Sequence, residues 1–367
     1  MDIKSMLERT VAPQLPGNQS FRIGIVGAGF IVRDCHLVAY EKLGFNPRAI
    51  AALTPDECRG VADRFHIPTV HLDWKALVDD DEIEILDIAV PPHVQLDIVR
   101  YAVKKPHIKG ILCQKPSALH YGDALEIARL AGEWNKPIGI NSNMRYDQSM
   151  RALKAALNEG LLGKPVLMSF EQRAIPHWQG FAQAYDRLTF INFSIHLLDI
   201  FRYLFGDPEY VTAHCRPDPR LNFPHTDGIV QYTYQYGDGL IATSMDDTYA
   251  YPQGCEKDTY INWRAEGLDG FAKGTIGWPR FPEPSQSTME LSCRARSGEW
   301  IRPEWDTCWF PDAFGGTMAS LLRAVEDGTE PEISAKDHAK TIACAEACYR
   351  SVKERRSVAL SELLRES

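Results

Sequence analysis

Three places in the 367-residue chain carry residues whose types and spacing suit chemistry. The first is Gly27-Ala28-Gly29-Phe30-Ile31-Val32, a G-x-G-x-x-V run that follows the β-rich FRIGIV and precedes a helical pattern. Gly27 permits a tight turn, and Gly29 lets the backbone approach a pyrophosphate resting on the helix N-terminus. Val32 stands where Gly or Ala ordinarily allows close helix-to-strand packing. Without a ligand, the run reads as a glycine turn between strand and helix. The second is Lys115, just past the apolar GILC. Open α/β sheets bind ligands at the carboxyl ends of their strands, although most single lysines are solvated surface residues. The third is TFINFSIHLLDIFRYLF (189–205). Read as one helix, it puts Asn192, His196 and Asp199 on one face, with Phe193, Leu197, Ile200 and Leu204 on another. Imidazole titrates near neutral pH, so His196 is a candidate general base as well as a candidate core histidine. Asp199 either orients that imidazole or is structural.

These residues need a scaffold, and the first half of the chain supplies the pattern of one. Strand-like 21–26, 48–53, 84–90, 110–113 and 137–141 alternate with helical 30–43, 55–65, 93–104 and 120–134. Such alternation predicts a doubly wound parallel sheet covered by helices. At the end of the second strand, Leu53-Thr54-Pro55-Asp56 lacks the carboxylate that usually holds ribose hydroxyls. Thr54 is left either to contact the ribose or to cap the next helix. Asp56 nearby repels a 2′-phosphate, so NAD is expected over NADP. Beyond residue 142, KPVLMSFEQRA, EYVTAHCR, GIVQYTYQY, LIATSMDDT, TYINWRAEG and TMELSCRAR read as mostly consecutive strands, which predicts a largely antiparallel sheet. Helices over 312–327 and 336–354 close the chain. Six of eight tryptophans lie in this half, and aromatic faces can stack on sugar rings or simply fill a core.

The glycine turn, Val90-Pro91-Pro92-His93 and Cys113-Gln114-Lys115-Pro116, in that order and spacing, resemble the Gfo/Idh/MocA family of oxidoreductases across residues 21 to about 350. The resemblance implies an N-terminal Rossmann domain and a C-terminal α+β domain with an open, mostly antiparallel sheet. It gives an extension over 1–20, a dinucleotide domain over 21–141, and a catalytic and oligomerisation domain over 142–367. It places Lys115 beside the nicotinamide, with Gln114 standing where the family has glutamate. It makes the Pro91 turn a cofactor-flanking loop, with Gln95 where a histidine is common. The expected cofactor contacts are therefore Gly27, Gly29, Phe30, Ile31, Thr54, Pro91 and Gln114. Asn141-Ser142-Asn143-Met144-Arg145-Tyr146 is similar to the family's N-x-x-R-aromatic crossing segment. His196 matches the histidine of its D-x-x-x-H motif, and Asn192 takes the aspartate position. The implied catalytic set is Lys115, His196 and Asn192, with Arg145, Tyr146 and Trp178 added around the substrate.

Bulk composition sets bounds. Apolar residues at 44% and charged residues at 24% are those of an ordinary globular protein, and the length suits two domains. No run reaches the roughly 18 apolar residues of a membrane span, and the first twenty residues lack a signal-peptide core, so a cytoplasmic location is expected. Nine scattered cysteines show neither C-x-x-C nor metal spacing, so no metal is expected. A formal charge of −9 without a basic run argues against nucleic acid. The expected function is NAD-dependent oxidation of a secondary ring hydroxyl of a sugar, glycoside (C3 of a glucoside included) or cyclic polyol. The expected assembly is a homo-oligomer, dimer or tetramer, through the second sheet. The alternatives are a non-catalytic sensor of the same fold and an enzyme that keeps NAD bound while cycling between two sugars.

Overall fold

The computed structural model describes residues 2–173, 180–248, 259–277, 283 and 285–365. They form two compact units: Pro13–Asn143 with Pro311–Ala339, and Met1–Ala12 with Met144–Phe310 and Lys340–Ser367.

In the first unit the short apolar runs become six strands, β1 (Arg22–Val26), β2 (Asn46–Ala51), β3 (Thr69–His71), β4 (Ile85–Ile88), β5 (Gly110–Cys113) and β6 (Ile138–Ile140). Their order is β3-β2-β1-β4-β5-β6 with every pair parallel. This is the doubly wound order, in which the chain reverses direction across the sheet between β1 and β4. Strands β4 and β5 are buried along their whole length, as strands covered on both faces must be. The strand expected over 48–53 runs from Asn46 to Ala51, and Leu53 lies fully exposed beyond its end. The three-residue β3, too short to show a period, was not among the strands read from the sequence.

The helix expected over 30–43 is present, but Val32–His36 is a π turn before the α-helix Leu37–Leu43. The widened turn coincides with Val32, the bulky residue in the usual Gly or Ala position, which is wholly buried. The helix Ala313–Asp327 packs on β5, β6 and Leu37–Leu43. Its Leu321 and Val325 cover Gly110, and the Ile333 carbonyl accepts from Ile140 N at 2.7 Å. Residues 311–339 therefore belong with the parallel sheet, whereas sequence alone assigned everything past 142 to the second domain.

The second unit is built on β7 (Pro165–Arg173), β8 (Tyr210–Arg216), β9 (Ile229–Gln235), β10 (Ile241–Asp247), β11 (Tyr260–Gly267), β12 (Gly270–Thr275), β13 (Thr288–Cys293) and β14 (Val358–Ala359). The order is β13-β12-β11-β7-β10-β9-β8-β14, antiparallel except for β7 with β10. Burial alternates along β7, β9 and β10, so one face of the sheet is buried and the other is more exposed. The N-terminal helix Ile3–Arg9 also belongs to this unit and buries Leu7. Among the described residues no helix is long and apolar enough to cross a membrane.

Candidate active site

At the carboxyl edge of the parallel sheet, β1, β4 and β5 stand side by side and hand their chains to the Gly27, Pro91 and Lys115 turns. Gly27 has φ +119°, and a Cβ there would lie 2.4 Å from the Ala89 carbonyl oxygen, so the position excludes every side chain. Its N–H donates to Ala51 at 2.8 Å. Gly29 differs: it is exposed, and a Cβ there would meet no heavy atom within 4 Å. Its carbonyl accepts from Val32 and Arg33 at 3.0 Å each and so starts the helix. An open glycine at a helix N-terminus, above the strand-order reversal, fits a dinucleotide pyrophosphate. Phe30 and Ile31 beside it are half-buried.

Thr54 is exposed and precedes the helix Pro55–Arg64, and its hydroxyl donates to Glu57 Oε2 at 3.2 Å. Pro91 caps the helix Pro92–Ala102 with its carbonyl, which accepts from Val94 at 3.1 Å. The side chain of Gln114 folds back to accept from Lys115 N at 3.0 Å. Lys115 retains partial exposure, yet the protein packed around it pushes its ammonium down to about 8. Gln95 ties the two turns together, its wholly buried amide donating to the Val90 and Pro116 carbonyls at 3.1 Å each.

Beneath the glycine turn lies a cluster that sequence reading missed. His36 Nδ1 lies 2.7 Å from Asp87 Oδ2, Tyr40 OH donates to the same oxygen at 2.8 Å, and Asn141 Nδ2 meets His36 Nε2 at 2.9 Å. All four are fully buried. An amide donating to Nε2 leaves Nδ1–H to bond the carboxylate, and the first helix is thereby fastened to β4 and to the end of β6. Two signals were legible: the i, i+4 spacing of His36 and Tyr40, and a single aspartate inside the apolar Ile85–Ile88.

In the second unit the helix expected over 189–205 is two helices, Thr189–Asn192 and Ile195–Phe205, parted at Phe193 and Ser194. The reading of 189–205 as one continuous helix is corrected here. Both residues are buried, and the His196 ring stands edge-on to Trp309 at 5.5 Å and 87°. Asp199 does not serve the imidazole: it takes Arg145 Nε and Nη2 at 2.6 and 2.7 Å and the Thr341 hydroxyl at 2.9 Å. Arg145 is consequently committed to a buried ion pair. Tyr146 is buried and carries the Arg151 guanidinium 4.1 Å above its ring. Trp178 lies outside the described residues.

Comparison with known proteins agrees with this architecture. Residues 21–142 match the family model described as "Oxidoreductase family, NAD-binding Rossmann fold", and residues 154–360 match "Oxidoreductase family, C-terminal alpha/beta domain". D-apiose dehydrogenase of Paraburkholderia graminis is 24% identical over 94% of this chain and 90% of its own. Inositol 2-dehydrogenase 1 of Saccharopolyspora erythraea is 25% identical over 86% and 97%. In fold, the chain is similar to a levoglucosan dehydrogenase solved with NADH and L-sorbose, with a TM-score of 0.80 and 16% identity over 94% of this chain and 100% of that one. The glycine turn, the doubly wound order and both family matches establish that this chain is an oxidoreductase of the Gfo/Idh/MocA family with an NAD-binding Rossmann fold.

Proposed function

We propose that the chain is an NAD-dependent dehydrogenase that oxidises a secondary ring hydroxyl of a sugar, glycoside or cyclic polyol to a ketone. The observation that carries this reading is Lys115. It is a half-buried lysine whose ammonium sits at about 8, on the strand edge where β1 and β4 deliver the glycine and proline turns. The names of the relatives, apiose, inositol and levoglucosan dehydrogenases, support a polyhydroxylated substrate. C3 of a glucoside is one such position.

Gly27, Gly29, Phe30, Ile31, Thr54, Pro91 and Gln114 are the residues that would hold NAD, which supplies the hydride acceptor when bound. Glu57, which accepts from Thr54, and Asp56, which pairs with Arg59 at 3.6 Å, are the carboxylates after β2 on which NAD is proposed over NADP. Lys115 donates a hydrogen bond to the reacting hydroxyl oxygen and lowers the cost of its developing charge. His196 takes the hydroxyl proton, and its buried ring, edge-on to Trp309, is held in one orientation for that transfer. Asn192 cannot ionise and orients the hydroxyl. Arg145 serves indirectly, its pair with Asp199 holding the helix that carries His196, and Tyr146 is the remaining proposed substrate contact. The second sheet's unshared face is the proposed surface for a dimer or tetramer, and the cytoplasm the proposed location.

Gln114 and Asn192, where the family has acids, favour one second reading, a sensor that binds sugar or dinucleotide without turnover. The test is incubation with NAD and a panel of glucosides, free sugars and inositols, following NADH formation and keto-sugar by mass. Oxidation of at least one cyclic polyol is expected. Binding without any oxidation would favour the sensor, and keto-sugar exchange without free NADH would indicate a retained cofactor.

A further inference from the structure

Between Asn192 and His196 the α-helical hydrogen-bond ladder is interrupted, although Phe193 and Ser194 keep right-handed helical dihedrals, and two buried carboxylates flank the interruption. Asp227, just before β9, accepts the N–H groups of Leu188, Thr189 and Phe190 at 2.7, 3.1 and 2.8 Å and the Tyr349 hydroxyl at 2.8 Å. Asp246, on the inner face of β10, accepts the hydroxyl of Ser194 and, at 2.5 Å, that of Ser244. Asp227, Asp246 and Ser194 are all wholly buried. A carboxylate removed from water is tolerated only where donors meet it, so the Ser194 hydroxyl is tied to β10.

The backbone registers the tie. Ser194 N reaches five residues back to the Thr189 carbonyl at 2.8 Å, and His196 N donates to the Phe193 carbonyl at 3.3 Å. The Ser194 carbonyl then accepts from both Leu197 and Leu198 at 2.8 Å and starts the second helix. In an unbroken helix, residues four apart stand about 6 Å apart along the axis on nearly the same face. Here a five-residue closure and a three-residue closure interrupt that ladder at Ser194, the residue whose hydroxyl Asp246 holds.

We infer that Asp246 is a positioning residue that acts through Ser194, fixing the break that sets Asn192 and His196 relative to each other. This rests on the proposed role of His196 as the base. Asp227 anchors the start of the short helix, Asp246 its end, and the imidazole follows two residues later. Desolvation pushes the Asp246 carboxyl up to about 6, against the lowering effect of its hydroxyl partners and of the more distant Arg173.

The test compares Ser194→Ala, Ser194→Thr and Asp246→Asn with wild type, reading kcat, KM, thermal midpoint and the imidazole titration of His196 by NMR. The resonance is assigned by its loss in His196→Gln. Ser194→Ala should lower kcat roughly 10-fold or more, as displacement of a reacting group does. The KM for NAD should stay within about twofold, and the His196 titration should move. Ser194→Thr and Asp246→Asn, which keep a donor and an acceptor, should recover kcat to within about threefold. Wild-type kcat and an unmoved titration in Ser194→Ala would overturn the proposal. So would a kcat loss that only accompanies a fall in thermal midpoint and leaves the titration in place. If wild type oxidises no cyclic polyol, the proposed function fails, and the titration alone still decides whether Asp246 and Ser194 set the imidazole.

Discussion

Arg145 and Asp199 form a buried, two-point ion pair, Nε to Oδ2 at 2.6 Å and Nη2 to Oδ1 at 2.7 Å. The pair joins the segment after β6 to the second of the two helices, and Thr341 adds a third donor to the carboxylate. Removing one partner leaves the other's buried charge without its two-point ion pair. Arg145→Ala and Asp199→Ala should each lower the unfolding free energy by about 3–5 kcal/mol. The double variant should lose clearly less than the sum. Denaturant unfolding of the three variants checks this, and additive losses would show that the two side chains are not coupled.

The two glycines of the first turn should respond in opposite ways. Gly27→Ala places a methyl 2.4 Å from the Ala89 carbonyl in a backbone with φ +119°, so the turn must rebuild and stability must fall. A Cβ at Gly29 meets no heavy atom within 4 Å, so Gly29→Val should leave the thermal midpoint near wild type while abolishing NADH binding. Fluorescence titration with NADH separates them. Tight binding by Gly29→Val would remove the pyrophosphate from this turn.

Burial holds the Lys115 ammonium at about 8. Its proposed role needs the charged form, so kcat/KM should fall as pH rises through about 8. Arginine keeps its charge across this range but cannot occupy the same donor position. Lys115→Arg should therefore be roughly 100-fold slower and lack the alkaline limb. A wild-type profile that stays flat well above pH 8 would count against this role.

Asp147 and Asp246 are pushed by burial to about 6 from an ordinary 3.8. A carboxyl with a raised folded-state pKa binds its proton better in the folded chain. Its contribution is fully present below about pH 4 and is lost as pH rises through about 6. Two units correspond to roughly 3 kcal/mol for each group. Asp147 caps the helix Gln148–Asn158 by accepting from Ser149 and Met150, and asparagine retains that acceptor. Asp147→Asn should flatten the decline of stability between about pH 4 and pH 7, as followed by urea midpoints. An unchanged decline would show that Asp147 is not titrating there.

The glycine turn, Val90-Pro91-Pro92-His93 and Cys113-Gln114-Lys115-Pro116 together carried the resemblance to the family. The alternating patterns and the glycine turn were by themselves enough to determine a doubly wound first unit and a mostly antiparallel second sheet. These follow from local rules: period-2 and period-3.6 burial, and a backbone at Gly27 that no side chain fits. Lys115 was legible for a related reason, since a residue just past a parallel strand must lie at the sheet's carboxyl edge. Only the tertiary structure decided the rest. Asp246 meets Ser194 across 52 residues, Asp199 meets Arg145 across 54, and Asn141 meets His36 across 105. These contacts broke an apparently continuous helix, withdrew Asp199 from the imidazole and fastened the first helix to the sheet. Residues 311–339 joined the parallel sheet in the same way, through Ile333 and the apolar face of Ala313–Asp327. Buried hydrogen bonds between distant segments impose no period on the sequence, because each needs only one donor and one acceptor brought together by packing.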